Sequence, residues 1–339
     1  MMFCWLLIAV FVSSLLLTYV LRCYALANSL IDIPNLRSSH AAPTPRGGGV
    51  AIVVSFLLAL PVLHYLDLID LSTAIGLFGA GALVASFGFA DDHGHIAARW
   101  RLGGHFVAAG WALFWLGGGA QISIFGLLLD LRGFTVFLFA VFLVWMLNLY
   151  NFMDGIDGLA SIEAITVCLS GCLVYWLSGY QELIWVVLIL AASVAGFLCW
   201  NFPPARIFMG DAGSGFLGLI IGLLAIIAAA KEPELLWCWL IVLGVFIVDA
   251  TWTLMRRLLR GDKVYEAHRS HAYQYASRKY GSHKAVVYAV LAINLLWLAP
   301  LAVAVGVGLI PGVAALIVAY IPLVVIACKF KAGMLESVS

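Results

Sequence analysis

The chain has 339 residues, 64% of them hydrophobic and 10% charged, with a formal net charge of +1. An ordinary soluble domain carries about a quarter charged residues, so this composition excludes that class and makes the bilayer the main solvent. No nucleic-acid partner is expected.

A helix needs about 20 apolar residues to cross the hydrocarbon core. Eleven such stretches follow one another, at about 3–21, 47–66, 72–90, 103–119, 134–150, 158–178, 182–200, 213–230, 235–254, 285–307 and 309–328. The first has no basic residue before it and no small-residue cleavage site after it, so it reads as a retained helix and not as a signal peptide. The expected fold is all-α: one polytopic integral membrane domain over 1–339, with 256–284 as its large loop.

Orientation follows from the basic residues. With loops assigned alternately to the two sides, one side holds Arg22, Arg37, Arg46, Arg99, Arg101, Arg206, Arg256, Arg257, Arg260, Lys263, Arg269, Arg278, Lys279, Lys284, Lys329 and Lys331, and the other only Arg132 and Lys231. The heavy side is therefore cytoplasmic, which leaves the amino terminus periplasmic and the carboxyl terminus cytoplasmic.

In chain order, the polar clusters Asp91-Asp92, Asn148 to Asp157, Asn201 to Asp211 and Arg256 to Lys284 all fall on that cytoplasmic side. Asp67, Asp70, Asp130, Glu182, Glu232 and Glu234 fall on the other and read as solvated loop charges. Glu163 and Asp249 lie inside spans, where an ionisable residue is costly and a functional candidate, with capping or snorkelling as the equal alternative. Several carboxylates and amides converging at one surface suit magnesium, which takes hard oxygen ligands from one or two carboxylates plus substrate phosphates. The seven cysteines show no CxxC pairing and read as membrane-packing residues.

The run Phe208 to Gly215 places glycines and a serine where a helix begins, and exposed amides at such a start favour an anion such as phosphate. Within 256–284, most of the basicity serves the positive-inside bias and anionic lipid, at roughly 1 kcal/mol per residue. His268, Arg269 and His271 differ, because imidazole beside guanidinium is suited to gripping a diphosphate.

Five motifs, spread along nearly the whole chain, resemble those of the polyprenyl-phosphate N-acetylhexosamine-1-phosphate transferases of glycosyltransferase family 4. They are Asp32-Ile33-Pro34-Asn35 through Pro43-Thr44-Pro45-Arg46-Gly47-Gly48, Asp91-Asp92 followed by Arg101-Leu102, Asn148 to Leu159, Asn201 to Gly215, and the His271 region. The resemblance implies ten or eleven helices, a frequent homodimer, and transfer of a sugar phosphate from a UDP-linked N-acetylated aminosugar to undecaprenyl phosphate, releasing UMP. It implies a magnesium ion, for which manganese can substitute, held by Asp211 with help from Asn151. It assigns catalytic positions to Asp91, Asp92, Asp154 and His271. It assigns substrate contacts to Asn148, Gly155, Asp157, Asn201, Phe208, His268 and Arg269, with Phe208 stacking on uracil.

A phosphate monoester is already largely dianionic at neutral pH. Direct attack by the lipid phosphate is therefore favoured over an aspartyl-phosphate intermediate, with Asp92 positioning the phosphate or acting as base and Asp91 supporting it. The branch that makes the first lipid intermediate of peptidoglycan has lysine where this chain has His95, and other branches have histidines where it has Tyr273 and Gln274. The chain looks closer to enzymes that start O-antigen or similar surface glycans in the bacterial inner membrane, with the peptidoglycan transferase as the alternative. A transporter is the rival from another class, but transport sites lie near the midplane and these acids cluster at one surface. A CDP-alcohol phosphotransferase would want further aspartates and an arginine soon after Asp154-Gly155, and Leu159 to Glu163 lacks them.

Overall fold

The computed structural model describes residues 4–34, 42–94, 96–118, 120–129, 133–263 and 268–334. Asn35, Arg37, His95, Asp130 and Arg132 lie outside the described residues.

Every apolar stretch carries a helix or a helix pair. The first eight give α1 (Cys4–Ala27), α2 (Val50–Tyr65), α3 (Leu71–His93), α4 (Ala98–Trp115), α5 (Gly133–Met153), α6 (Leu159–Ser178), α7 (Ile184–Asn201) and α8 (Asp211–Lys231). The ninth breaks into α9 (Glu234–Val242) and α10 (Gly244–Arg260), bent by 74°. A short helix, α11 (Ala272–Tyr280), precedes the tenth, which is α12 (His283–Ile293) and α13 (Ala299–Gly306) joined by a π turn at Asn294–Leu298. The last is α14 (Gly312–Lys329). Among the described residues eight helices are long and apolar enough to cross a membrane, nine with the bent pair. The protein is thus a polytopic helical membrane protein. The 16 residues of α2 are fewer than a full crossing needs, and α4 carries Arg99, Arg101 and His105 in its first half.

Helix α8 is the axis of the bundle, buried along almost its whole length between α3 and α5. The outermost helices, such as α1 and α14, present Ile8, Leu16, Val20, Ile317, Ile321 and Val325 outward, as lipid-facing surfaces do. Two small antiparallel ribbons interrupt the helices: β1 (Ile31–Asp32) with β2 (Thr44–Pro45), and β3 (Ile122–Ile124) with β4 (Leu127–Leu129).

Three acids expected to be plain solvated charges hold the chain instead. Asp70 Oδ1 accepts the Thr73 amide at 2.6 Å and caps α3. Glu234 accepts from Ser123 Oγ at 2.6 Å and from the Gly312 amide at 3.0 Å, tying α9 to a ribbon and to α14. Glu232 accepts from the Tyr180 hydroxyl at 3.2 Å. Glu163 neither caps its own helix nor snorkels: it is fully buried, and Asn294 Nδ2 donates to its Oε2 at 2.7 Å and to Thr166 Oγ1 at 2.8 Å. That contact pins the π turn to α6, where an unpaired carboxylate would be costly.

Candidate functional site

The polar clusters meet at one end of the bundle, where α3 and α5 end and α8 begins. Two sharp backbone features bring them together. Gly210 precedes α8 with φ of +80°, a conformation that L side chains rarely adopt, and a Cβ there would stand 2.7 Å from Asp92 Oδ2. The segment after β2 lies alongside the one before α8: Phe208 N donates to Pro45 O at 2.8 Å, Gly48 N to Phe208 O at 2.9 Å and Gly49 N to Met209 O at 2.8 Å.

The two neighbouring aspartates of α3 have separate partners. Asp91 Oδ1 accepts the Ile96 amide at 2.9 Å and its Oδ2 pairs with Arg101 Nη1 at 2.5 Å, closing the turn between α3 and α4. Asp92 turns to α8, where Oδ1 accepts the Asp211 amide at 3.1 Å and Oδ2 the Ala212 amide at 3.3 Å. The anion at this helix start is therefore a carboxylate of the chain itself, which corrects the expectation that these amides are offered to phosphate. Arg46 Nη2 completes the cluster, 2.6 Å from Asp211 Oδ1 and 2.8 Å from Asp92 Oδ1.

A cavity of about 240 Å³ opens beside this cluster. Of the expected site residues, Asn151, Asp154, Gly155, Asp157, Asn201, Phe208 and Asp211 line it, joined by Asp32, Arg46, Ser214 and Gln274. Asn151 Nδ2 donates to Ser214 Oγ at 3.1 Å, which sets its carboxamide against the first turn of α8. Asn201 spends its amide on the scaffold: Oδ1 accepts the Gly158 amide and Nδ2 donates to Ile207 O, each at 3.0 Å. Asp157 Oδ2 accepts the Ala205 amide at 3.0 Å, and His283 Nδ1 stands 3.3 Å from its Oδ1. The Asp154 carboxyl is pushed well above the usual carboxylate range, first by burial and then by the negative charge of Asp211, against which Arg46 works; Asp92 and Asp157 add to the rise.

Asn148, Asp91 and Arg101 line a smaller hollow on the α4 side, where Asn148 Nδ2 donates to Val144 O of its own helix at 2.6 Å. His268, Arg269 and His271 do not line the main cavity. His271 is buried behind it, with Nδ1 3.3 Å from Asp249 Oδ1 and its ring stacked on Phe152. His268 Nδ1 faces Ser270 Oγ at 2.9 Å, and its pKa falls to about 3 through burial, then the nearby His271 and Arg257. Asp249 also accepts the amides of Ala272 at 2.9 Å and Tyr273 at 3.0 Å, so it caps α11 from α10. That cap delivers Tyr273, whose hydroxyl donates to Phe152 O at 2.9 Å, and Gln274, which reaches the cavity wall.

Arg46 and Arg101 lie within motifs that by themselves give neither a role. The only signal was their position, a basic residue inside each of two otherwise acidic or glycine-rich stretches. Tyr273 and Gln274 stand where related branches have imidazoles, and the chain carries no sign that one braces the 152–155 backbone and the other lines the cavity.

The oxygen donors Asp211, Asp92, Asp154 and Asn151 suit magnesium chemically, and the crowding of negative charge at Asp154 is what a bound cation would relieve. Among the described residues, however, no three His, Cys, Asp or Glu side chains converge in a metal-holding arrangement. Two of the candidate carboxylates face Arg46 instead.

A family model described as glycosyl transferase family 4 matches residues 74–229, the stretch that runs from α3 to α8. The chain is 29% identical over 296 residues to a probable undecaprenyl-phosphate N-acetylglucosaminyl 1-phosphate transferase of Bacillus subtilis, covering 84% of this chain and 80% of the relative. It is 29% identical to an undecaprenyl-phosphate alpha-N-acetylglucosaminyl 1-phosphate transferase of Thermotoga maritima, covering 85% and 87%. A phospho-N-acetylmuramoyl-pentapeptide-transferase of Streptococcus pneumoniae is 31% identical over 66% of this chain and 71% of its own.

Proposed function

We propose, from the premise that the chain belongs to glycosyl transferase family 4, that it moves an N-acetylated aminosugar 1-phosphate from a UDP-sugar to undecaprenyl phosphate. UMP leaves and a lipid-linked diphosphate sugar remains. The observation that carries this reading is the cavity at one end of a membrane bundle, lined by Asp154, Asp157, Asp211, Asn151 and Phe208. A water-soluble nucleotide and a lipid whose phosphate lies at headgroup level have to meet at such a boundary. In this reading the cavity faces the cytoplasm of the bacterial inner membrane, the eleven helical stretches all cross or enter the bilayer, and the amino terminus is periplasmic.

Each residue's role follows from its setting. Phe208 offers a ring at the cavity wall for the uracil. Asn201, although it lines the cavity, holds the loop of Gly158 in place, so its part is to shape the nucleotide end. Asp211 and Asn151, with Asp154 nearby, would hold a magnesium ion, which neutralises diphosphate charge when bound. The lipid phosphate oxygen attacks the sugar-bearing phosphorus, and the bond to the UMP oxygen breaks with its electron pair leaving on UMP. Asp91 and Asp92 are each held by two or more donors, so neither is presented as a free nucleophile, which supports direct attack over an aspartyl-phosphate. Inversion at a chiral transferred phosphorus is the expected outcome, and net retention would reject direct attack.

The sugar belongs to the set used to start surface glycans such as O-antigen, N-acetylglucosamine or a deoxy-aminosugar, and the enzyme works as a homodimer. The test is UMP release by the purified chain with undecaprenyl phosphate, magnesium and a panel of UDP-sugars that includes UDP-N-acetylmuramoyl-pentapeptide. Turnover with an aminosugar, abolished by EDTA, is expected. Turnover with the pentapeptide substrate alone would move the chain to the peptidoglycan branch, and no turnover by folded protein would reject the transferase reading.

A further inference from the structure

Arg46 stands between the two carboxylates that a cation would otherwise claim. One nitrogen, Nη2, reaches Asp211 on α8 at 2.6 Å and Asp92 on α3 at 2.8 Å. The Asp92 side chain is only 5% exposed, whereas that of Arg46 is 38% exposed, so the arginine has room to move where the aspartate does not. Arg46 also walls a second cavity of about 370 Å³, lined by Leu30, Ile31, Ile33 and Phe89 together with Asp92. Burial works against its charge, but Asp211, Asp92 and Asp32 together raise its pKa, so it is a fixed cation.

A divalent cation at Asp211 would sit within a few ångströms of this guanidinium, and a double positive charge beside a single one at that range is repelled by about 2–8 kcal/mol, between the dielectric of water and that of a partly exposed site. The arginine has to leave, and it needs an anion to leave for. A phosphate oxygen is that anion, since the planar guanidinium fork matches phosphate and the three N–H groups on Nη1 and Nε lie beyond the Nη2 contact to the carboxylates. We propose that Arg46 is a resident counter-cation. It neutralises Asp92 and Asp211 before the substrates arrive, then passes to a substrate phosphate as the metal ion takes its place. Metal and phosphate binding are thereby coupled, each removing the obstacle to the other. The identity of the phosphate rests on the transferase reading above; the competition between Arg46 and a cation does not.

The experiment measures Mn2+ binding by electron paramagnetic resonance in the full-length, detergent-solubilised chain without nucleotide, comparing wild type with Arg46→Gln and Arg46→Lys. Binding of UMP and of undecaprenyl phosphate at saturating Mg2+ is measured on the same proteins, and monodispersity with the thermal midpoint checks folding. Arg46→Gln is expected to bind Mn2+ about tenfold more tightly and at least one of the two phosphates about tenfold more weakly. Arg46→Lys, which keeps the charge without the fork, should hold Mn2+ near the wild-type affinity while losing phosphate affinity, so it decides the matter if Arg46→Gln does not fold. The phosphate that weakens identifies the one that Arg46 receives. Unchanged or weaker Mn2+ binding in Arg46→Gln, near-tenfold tighter Mn2+ binding in Arg46→Lys, or undiminished affinity for both phosphates would overturn the proposal. If wild type binds neither UMP nor the lipid phosphate, the transferase reading falls, and the Mn2+ comparison still decides whether Arg46 competes with a cation.

Discussion

Asp92 Oδ1 accepts the backbone amide of Asp211 across 119 residues of chain, at 3.1 Å. The end of α3 thereby caps the start of α8, the helix that carries the expected metal ligand. Removing the carboxylate with Asp92→Ala should cost about 1–2 kcal/mol of stability through the lost cap and helix-end charge, besides abolishing turnover. Asp92→Asn keeps one acceptor and should recover most of the thermal midpoint but little activity. If both variants melt like wild type, the cap contributes nothing.

Phe208 lines the cavity without a charge to offer, so its contribution is to binding and not to the chemical step. Phe208→Ala should raise KM for the UDP-sugar about tenfold, in keeping with the loss of one stacked aromatic contact, and change kcat less than threefold. A fall in kcat at constant KM would place the uracil elsewhere.

Gly155 and Tyr273 leave each other no spare room. A Cβ at Gly155 would meet the Tyr273 hydroxyl at 2.1 Å, and that hydroxyl holds Phe152 O. Gly155→Ala should therefore displace α11 from the 152–155 loop and lower activity by more than tenfold, about 1.4 kcal/mol or more. Tyr273→Phe removes the clashing oxygen, so the double variant should regain part of the loss. Strict additivity in the cycle would show that the two residues act independently.

Asp154 carries a pH signature. Its folded pKa is raised by burial and then by Asp211, so the folded state holds this proton more tightly than the unfolded chain does. The stability this contributes is full below the ordinary carboxylate range and is lost as pH rises through the raised folded value. In metal-free protein, Asp154→Asn should therefore melt above wild type at pH 7 to 8, with the gap closing towards pH 4. Saturating Mg2+ should narrow the gap at high pH by stabilising the ionised wild type. A gap that is constant with pH would mean that Asp154 does not titrate in this range.

Much of the site could be read from the chain because membrane residence makes polar residues conspicuous. Against long apolar runs, Asp91-Asp92, Asn151, Asp154, Asp157, Phe208 and Asp211 stand out, and of these only Asp91-Asp92 fall outside the main cavity lining, Asp92 on its edge through Arg46. The basic loop was harder. His268, Arg269 and His271 have the chemistry for a diphosphate, yet the Asp249 cap turns α11 so that Gln274 reaches the cavity and His271 lies behind Phe152. Asp249 and Glu163 were open between function and capping; Asp249 proves to be a cap, while Glu163 is buried against Asn294.

The order and apolarity of the helices were determined by the sequence alone, because a run of about 20 apolar residues has few alternatives to a helix in lipid. Which carboxylate faces a helix start, which faces an arginine and which stays crowded in the cavity was decided only by tertiary structure. Asp92 and Asp91 are adjacent in the chain, but about 100° apart around a helix. One therefore reaches α8 and the other α4, and no reading of the pair as a unit can assign their partners.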